Sequence, residues 1–266
     1  MIPSQQEFTA RVRIERPHIF PSNVVAGVTE RNAELFPTTG FSLLKAQILS
    51  VEEVEQHRAL FAHYLGVKRE TVRFQQQVHG DCVCEALLDD PTHEPFIESD
   101  GLMYCAQANS PQTPDLTLCV GIADCAAILL YDPQHKAIAA IHSGWRGTAT
   151  NIVQKGIQKM YNRYGTDPAS LLAYISPCAS GKCYVVREDV AKEFDFCEPV
   201  IRRMNAEEFL FDNRVKILHQ LVAAGVKCRK VELSQGCTMT HTRYHSHRRD
   251  GAAAGRMVAF IGLKNG

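Results

Sequence analysis

The chain has 266 residues, 45% of them hydrophobic, enough to bury one large core or two small ones. Its 29 basic and 29 acidic side chains cancel, which argues against a nucleic-acid or anionic-membrane binder, since such proteins carry a basic excess. No apolar run approaches a transmembrane span and the first residues lack the pattern of a signal peptide, so most of the ten cysteines are read as reduced thiols of a cytoplasmic protein.

No repeat, low-complexity tract or obvious linker divides the chain, and its length leaves one large domain or two small ones open. The first helix is predicted over 51–65, with apolar Val51, Val54, Leu60, Phe61 and Leu65 among charges. Ser50 with Glu53 has the form of a capping box, and Gly66 that of a C-terminal stop. A candidate strand over 74–78 runs directly into His79. Apolar runs of strand length follow at 116–122, 126–131 and 137–141, and Asp132-Pro133 would turn the last two into neighbours. A helix is predicted over 148–164, closing at Gly165, then a strand over 171–175, a helix over 213–224 and a strand over 257–261. Several of these strands are apolar without alternation, as expected of inner strands covered on both faces. The mixture points to an α+β domain.

Three residues carry the chemistry. His79 follows the 74–78 run, Cys125 follows 116–122, and His142 follows 137–141. Two imidazoles and a thiol form a transition-metal ligand set, and three protein ligands leave a fourth tetrahedral position for water or substrate, as in catalytic zinc sites. The same Cys125 and His142 also suit a nucleophile and its base. Asp124 is placed to support a ligand or move a proton. Gly80 and Gly144 beside the histidines suggest unusual backbone angles and close approach. Arg146, next to the only Trp and between two glycines in Gly144-Trp145-Arg146-Gly147, suits an anion or a stacked ring.

Gln77-Val78-His79-Gly80, Ser99-Asp100-Gly101-Leu102, Ala123-Asp124-Cys125 and His142-Ser143-Gly144-Trp145-Arg146-Gly147-Thr148 resemble the YfiH-like family, also called the laccase-domain or multicopper polyphenol oxidase family. Ser176-Pro177-Cys178, Cys183-Tyr184-Val185-Val186, Cys237-Thr238, Arg248-Arg249-Asp250-Gly251 and Gly255-Arg256-Met257 continue the likeness to the C-terminus. The resemblance implies a single-domain α/β/β/α layered sandwich of mixed sheets, and a zinc site at His79, Cys125 and His142. It further implies phosphorolysis of purine nucleosides such as adenosine, inosine and S-methyl-5′-thioadenosine, with adenosine deamination besides. Copper-dependent phenol oxidation is also attached to the family. Departures stand at Leu44, His57-Arg58, Tyr244-His245 and Ser176; they spare the metal ligands and bear on substrate choice.

Phosphorolysis needs a phosphate held beside the ribose, and arginine's forked donors suit it. The candidates are Arg146, Arg248, Arg249 and Arg31. In deamination Asp124 would be the proton-transfer group. Multicopper chemistry fits poorly, because only His245-Ser246-His247 has the His-x-His form; a single copper can still occupy the His–Cys–His site. Cys82-x-Cys84 is read as a packed strand face, Cys178 and Cys183 as neighbours of the site, and Glu52-Glu53 and Asp89-Asp90 as surface charge. The expected partners are a purine nucleoside and phosphate, with no nucleic acid, no membrane and a monomeric state. The competing readings are a cysteine hydrolase with a Cys125/His142 dyad, a laccase-like oxidase, and a non-catalytic metal-binding protein.

Overall fold

The computed structural model describes residues 2–45, 49–87, 97–106, 116–194 and 200–264; Ala46, Asp89 and Asp90 lie outside them. In chain order the described strands are β1 (Ile14–Glu15), β2 (Val24–Thr29), β3 (Val72–Arg73), β4 (Val83–Glu85), β5 (Gly101–Cys105), β6 (Thr117–Ile122), β7 (Ala126–Asp132), β8 (Ala137–Ser143), β9 (Leu172–Ile175), β10 (Val185–Arg187), β11 (Ile201–Arg203), β12 (Glu208–Phe211), β13 (Val231–Leu233) and β14 (Met257–Leu263). The α-helices are α1 (Gln5–Arg11), α2 (Val51–Leu65), α3 (Trp145–Ala149), α4 (Ile152–Tyr164), α5 (Glu188–Ala191), α6 (Asn213–Ala223) and α7 (His247–Asp250). None is long and apolar enough to cross a membrane.

Two mixed sheets lie face to face. One has the order β1-β2-β14-β6-β3, the other β13-β9-β7-β8-β5-β4. The strand sequences explain the layering. On β7, Ala127, Leu129 and Tyr131 join the core between the sheets, while Ala126, Ile128 and Leu130 join a second core on the opposite face. That second core is completed by Ile152, Val153, Ile157 and Met160 of α4 and by Ile217 and Leu221 of α6. On β14, Met257, Ala259 and Ile261 face inward, whereas Val258 and Phe260 pack against Phe8 of α1 and Leu60 and Phe61 of α2. Apolar residues on both sides of a period-2 strand require a layer on each side. The result is helices, sheet, sheet, helices: the expected α/β/β/α sandwich. A third sheet, β10-β12-β11, forms a small satellite core with Trp145 and Tyr184 packed against it.

Helix α2 follows its local signals. Ser50 accepts from the Glu53 amide, the Glu53 side chain accepts from the Ser50 amide, and Gly66 closes the helix at φ 71°. The 148–164 helix, by contrast, is divided. Gln220 of α6 donates to the Thr148 carbonyl at 2.6 Å and to Asn151 Oδ1 at 2.9 Å, and Asn151 turns left-handed at φ 61°. A carbonyl that would serve the next helical turn is thus held by a tertiary contact. Residues 74–78 are not a regular strand either; only an isolated bridge joins Gln76 to Glu98. The chain is there leaving β3 in one sheet for β4 in the other, so it cannot pair continuously with either.

Candidate functional site

The site lies at one end of the sandwich, where the chain crosses between sheets. Residues 74–82 carry His79 from the first sheet to the second, and residues 123–125 carry Cys125 from β6 to β7. His142 is the penultimate residue of β8, with its Cα opposite Ala127 of β7. The β7–β8 hairpin is tightened by Asp132, whose Oδ1 accepts from the Gln134 amide and whose Oδ2 meets His135 Nδ1 at 2.7 Å. His79, Cys125 and His142 therefore converge: their ligand atoms all lie within 4.8 Å of one another. Among the described residues this is the one group of three or more His, Cys or acidic side chains so placed.

Asp100, fully buried at the start of β5, organises the cluster. Its Oδ2 accepts from the amides of Gly80 (2.6 Å) and Val78 (3.2 Å). Its Oδ1 accepts from the His79 amide (3.0 Å) and faces His142 Nδ1 at 2.8 Å. Its backbone carbonyl accepts from the His142 amide. Burial works against the carboxylate, but His142 and these amides hold its pKa below the ordinary value. Fixing Nδ1 in this way leaves His142 Nε2 for a ligand, the carboxylate–histidine support common at metal sites.

Left-handed backbone appears at His79 (φ 59°) and Asp124 (φ 93°), not at Gly80 or Gly144. Gly144 is extended; it is glycine because a Cβ there would meet Cys125 Sγ at 2.9 Å and His79 Cδ2 at 3.5 Å. Burial raises the Cys125 pKa, but the charge and hydrogen bond of His142, and then those of His79, bring it down to about 6. Burial lowers His142, whereas the Cys125 thiolate and Asp100 raise it overall.

The cluster opens into a cavity of about 620 Å³. Its described lining carries five cationic side chains, Lys45, Arg58, Arg146, Arg248 and Arg256, against one carboxylate, Asp124. Arg146 is exposed with its guanidinium 4.3 Å over the Trp145 ring. Arg248 lies over Tyr184 and donates to the Val185 carbonyl. Neither guanidinium forms an ion pair with a described carboxylate within 4.0 Å.

The other two arginines singled out from the sequence are placed elsewhere. Arg249 forks onto both oxygens of Asp250 at 2.7 Å and donates to the carbonyls of Thr238 and Tyr244. Arg31 also faces Asp250, at 3.7 Å. Both fasten the C-terminal segment and neither lines the cavity. Asp124 lines it with both oxygens engaged, Oδ1 by the Thr238 hydroxyl and Oδ2 by the Arg248 amide. His245 is buried against the Phe41 carbonyl, while His247 reaches the cavity wall.

Sequence reasoning assigned no role to Asp100, Gln75, Gln77, Arg256 or Tyr184. For Asp100 a signal existed: an acid directly before the apolar run 101–105 is costly to bury unless several donors meet it.

A family model described as "multi-copper polyphenol oxidoreductase laccase" matches residues 45–264. A purine nucleoside phosphorylase of Bacillus subtilis is 30% identical, over 91% of this chain and 89% of that one. A purine nucleoside phosphorylase of Bacteroides thetaiotaomicron is 34% identical over 60% of this chain; the match spans 62% of that relative's length. The crystal structure of YlmD from Geobacillus stearothermophilus superposes with a TM-score of 0.83 at 25% identity, covering 94% of both chains.

Proposed function

The chain belongs to the multi-copper polyphenol oxidoreductase laccase family, and from that premise we propose that it is a zinc-dependent purine nucleoside phosphorylase acting on adenosine, inosine and S-methyl-5′-thioadenosine, with adenosine deamination as a second activity. One observation carries the reading: three convergent metal donors open into a nucleoside-sized cavity lined by five cations and one carboxylate. Relatives described as purine nucleoside phosphorylases support it.

The donor set fits zinc. His142 is held by Asp100 with Nε2 available, Cys125 favours the thiolate, and His79 completes a three-ligand site with an open position. A zinc ion bound there supplies Lewis acidity close to the reacting groups. In phosphorolysis an oxygen of phosphate bonds to ribose C1′ as the C1′–N bond breaks; the bonding pair leaves with the purine, which takes up a proton. Arg146 and Arg248 are the residues assigned to the phosphate dianion, with Arg256 on the same wall. In deamination Asp124 is assigned the proton transfer, acting from the cavity wall.

Copper also suits these ligands. A trinuclear copper cluster, however, has no second group of donors among the described residues.

A cysteine hydrolase is the second reading, favoured by the line Cys125–His142–Asp100, which has the order of nucleophile, base and orienting acid. The second imidazole, His79, is unneeded in such a triad and is accounted for by a metal. The test is to incubate metal-analysed protein with adenosine, with and without phosphate, and separate the products by chromatography. Adenine and ribose 1-phosphate formed only with phosphate, by protein holding about one zinc per chain, are expected. Full activity of metal-free protein with a covalent adduct on Cys125 would replace this reading with the hydrolase, and release of no base from any purine nucleoside would leave the metal-binding reading.

A further inference from the structure

Cys183 and Cys237, 54 residues apart in sequence, bring their sulfurs to 3.5 Å, and the contact is only part-buried. Met239 adds a thioether 4.0 Å from Cys183. A second pair in contact, Cys82 and Cys84 at 3.6 Å, merely flanks Val83, so a bond between them would join nothing distant. Cys178 meets Cys237 through a backbone bridge, but it is fully buried, and burial pushes its thiol up to about 11. The Cys183–Cys237 pair is different. Burial works against a thiolate at Cys237, but Thr240, Ser180 and Cys183 hold its pKa below the ordinary thiol value; burial and then Cys237 push Cys183 up to about 11. The pair thus gives up its first proton readily and keeps the second between two sulfurs, so either sulfur can act as the nucleophile. Both cysteines also stand directly behind the cavity wall. Cys183 precedes Tyr184, which lines the cavity and carries the Arg248 guanidinium over its ring. Cys237 precedes Thr238, whose hydroxyl donates to Asp124 Oδ1 at 2.7 Å.

We propose that Cys183 and Cys237 form a thiol-oxidation site, at which a peroxide converts the pair to a disulfide that staples the Tyr184 and Thr238 segments of the cavity wall. Cys183, the partly exposed member, attacks one oxygen of the peroxide as its thiolate. The O–O bond breaks and hydroxide leaves, giving a sulfenic acid on Cys183. The Cys237 sulfur then displaces a second hydroxide and the S–S bond forms. The two thiol protons end in water, so two thiols and one hydrogen peroxide give one disulfide and two waters; the sulfurs lose two electrons and the peroxide gains them. A dithiol reductant reverses the step by exchange. Closure brings the sulfurs from 3.5 Å to the ~2.05 Å of a disulfide. Tyr184 with Arg248, or Thr238 with Asp124, has to follow. The pair is separate from the metal donors, and the proposal does not depend on which substrate the cavity takes.

The test treats the full-length, zinc-loaded protein with hydrogen peroxide and maps its thiols by peptide mass spectrometry without reduction. A linked Cys183–Cys237 peptide pair is expected, with zinc content unchanged and both thiols returned by dithiothreitol. Fluorescence of Trp145, which lines the same cavity, should shift with the disulfide. The kcat/KM for inosine phosphorolysis should fall about 10-fold or more, since a displacement of about 1 Å at a reacting site costs on the order of 100-fold. Cys183→Ser and Cys237→Ser should match the parent while reduced and lose both responses to peroxide. Cys237→Ser should in addition hold a sulfenic acid on Cys183 that dimedone traps. Cys183 and Cys237 left reduced, or oxidised past the sulfenic acid without linking, overturns the proposal on the parent protein alone, whether or not the serine variants fold. So does a disulfide that leaves fluorescence and turnover unchanged, or a second metal ion per chain that holds the pair and blocks its oxidation. If the reduced protein cleaves no purine nucleoside, the phosphorylase reading falls, and the linked peptide with the Trp145 shift still decides this proposal.

Discussion

Replacing Asp100 by Asn tests the support of the proposed metal site while changing its shape little. The carboxylate receives the amides of Val78 and Gly80 on Oδ2 and the His79 amide and His142 Nδ1 on Oδ1. Asparagine has only one acceptor oxygen. If it keeps Val78 and Gly80, its NH₂ faces the His79 amide, a donor against a donor, and His142 must accept at Nδ1. The His142 proton then moves to Nε2, the nitrogen otherwise available to a metal. Loss of such an outer partner costs about 10- to 100-fold in metal affinity, or about 1.4–2.7 kcal/mol at 1.36 kcal/mol per decade. Removing one partner from a buried, hydrogen-bonded charge also costs about 3–5 kcal/mol of stability. Zinc affinity measured by competition with a chromophoric chelator, and urea unfolding of the metal-free variant, report the two effects separately. Asp100→Asn that binds zinc as the parent does and unfolds at the same urea concentration refutes the argument.

Three further outcomes are expected. In chelator-treated protein, Cys125 should react with iodoacetamide with a pH midpoint near about 6 rather than near the ordinary thiol value, and stoichiometric zinc should suppress the reaction; a midpoint above 8, read by peptide mass spectrometry, would remove the imidazole-stabilised thiolate. Arg146→Ala and Arg248→Ala should raise KM for phosphate at constant zinc content, and lysine at either position should restore only part of it; Arg249→Ala should instead lower thermal stability, because its guanidinium ties Asp250 to the Thr238 and Tyr244 carbonyls. His245, buried against the Phe41 carbonyl, has a folded-state pKa lowered to about 4 by burial. Between about pH 6.5 and 4 the unfolded chain therefore binds a proton that the folded chain does not, and about 3 kcal/mol of stability is lost as the pH is lowered through that window. His245→Gln, measured by urea unfolding with chelator present throughout, should flatten this slope; parallel curves for parent and variant would contradict it.

Local chemistry made several parts of the molecule legible in the sequence. Ser50, Glu53 and Gly66 bound α2 because capping is settled within a turn of chain. The doubly apolar runs of β6, β7, β8 and β14 announced strands covered on both faces, since a period-2 strand apolar throughout has no side left for water. His79, Cys125 and His142 were recognisable from residue type and flanking residues, which is where metal chemistry resides. What the tertiary structure alone decided is how distant groups meet. Gln220, 72 residues from Thr148, interrupts the helix that periodicity predicts as continuous. The passage from one sheet to the other leaves residues 74–78 only an isolated bridge, Gln76 to Glu98, in place of a strand. Arg146 and Arg248 face the cavity while Arg249 and Arg31 are drawn to Asp250, though all four are the same residue type in sequence. Asp100 becomes the anchor of two histidines only because β5 lies beside β8 and the His79 crossover folds onto the start of β5. Capping and strand burial depend on neighbours a few residues away; hydrogen-bond partners and the sorting of charges depend on which elements pack together, and that is fixed only when the two sheets close on each other.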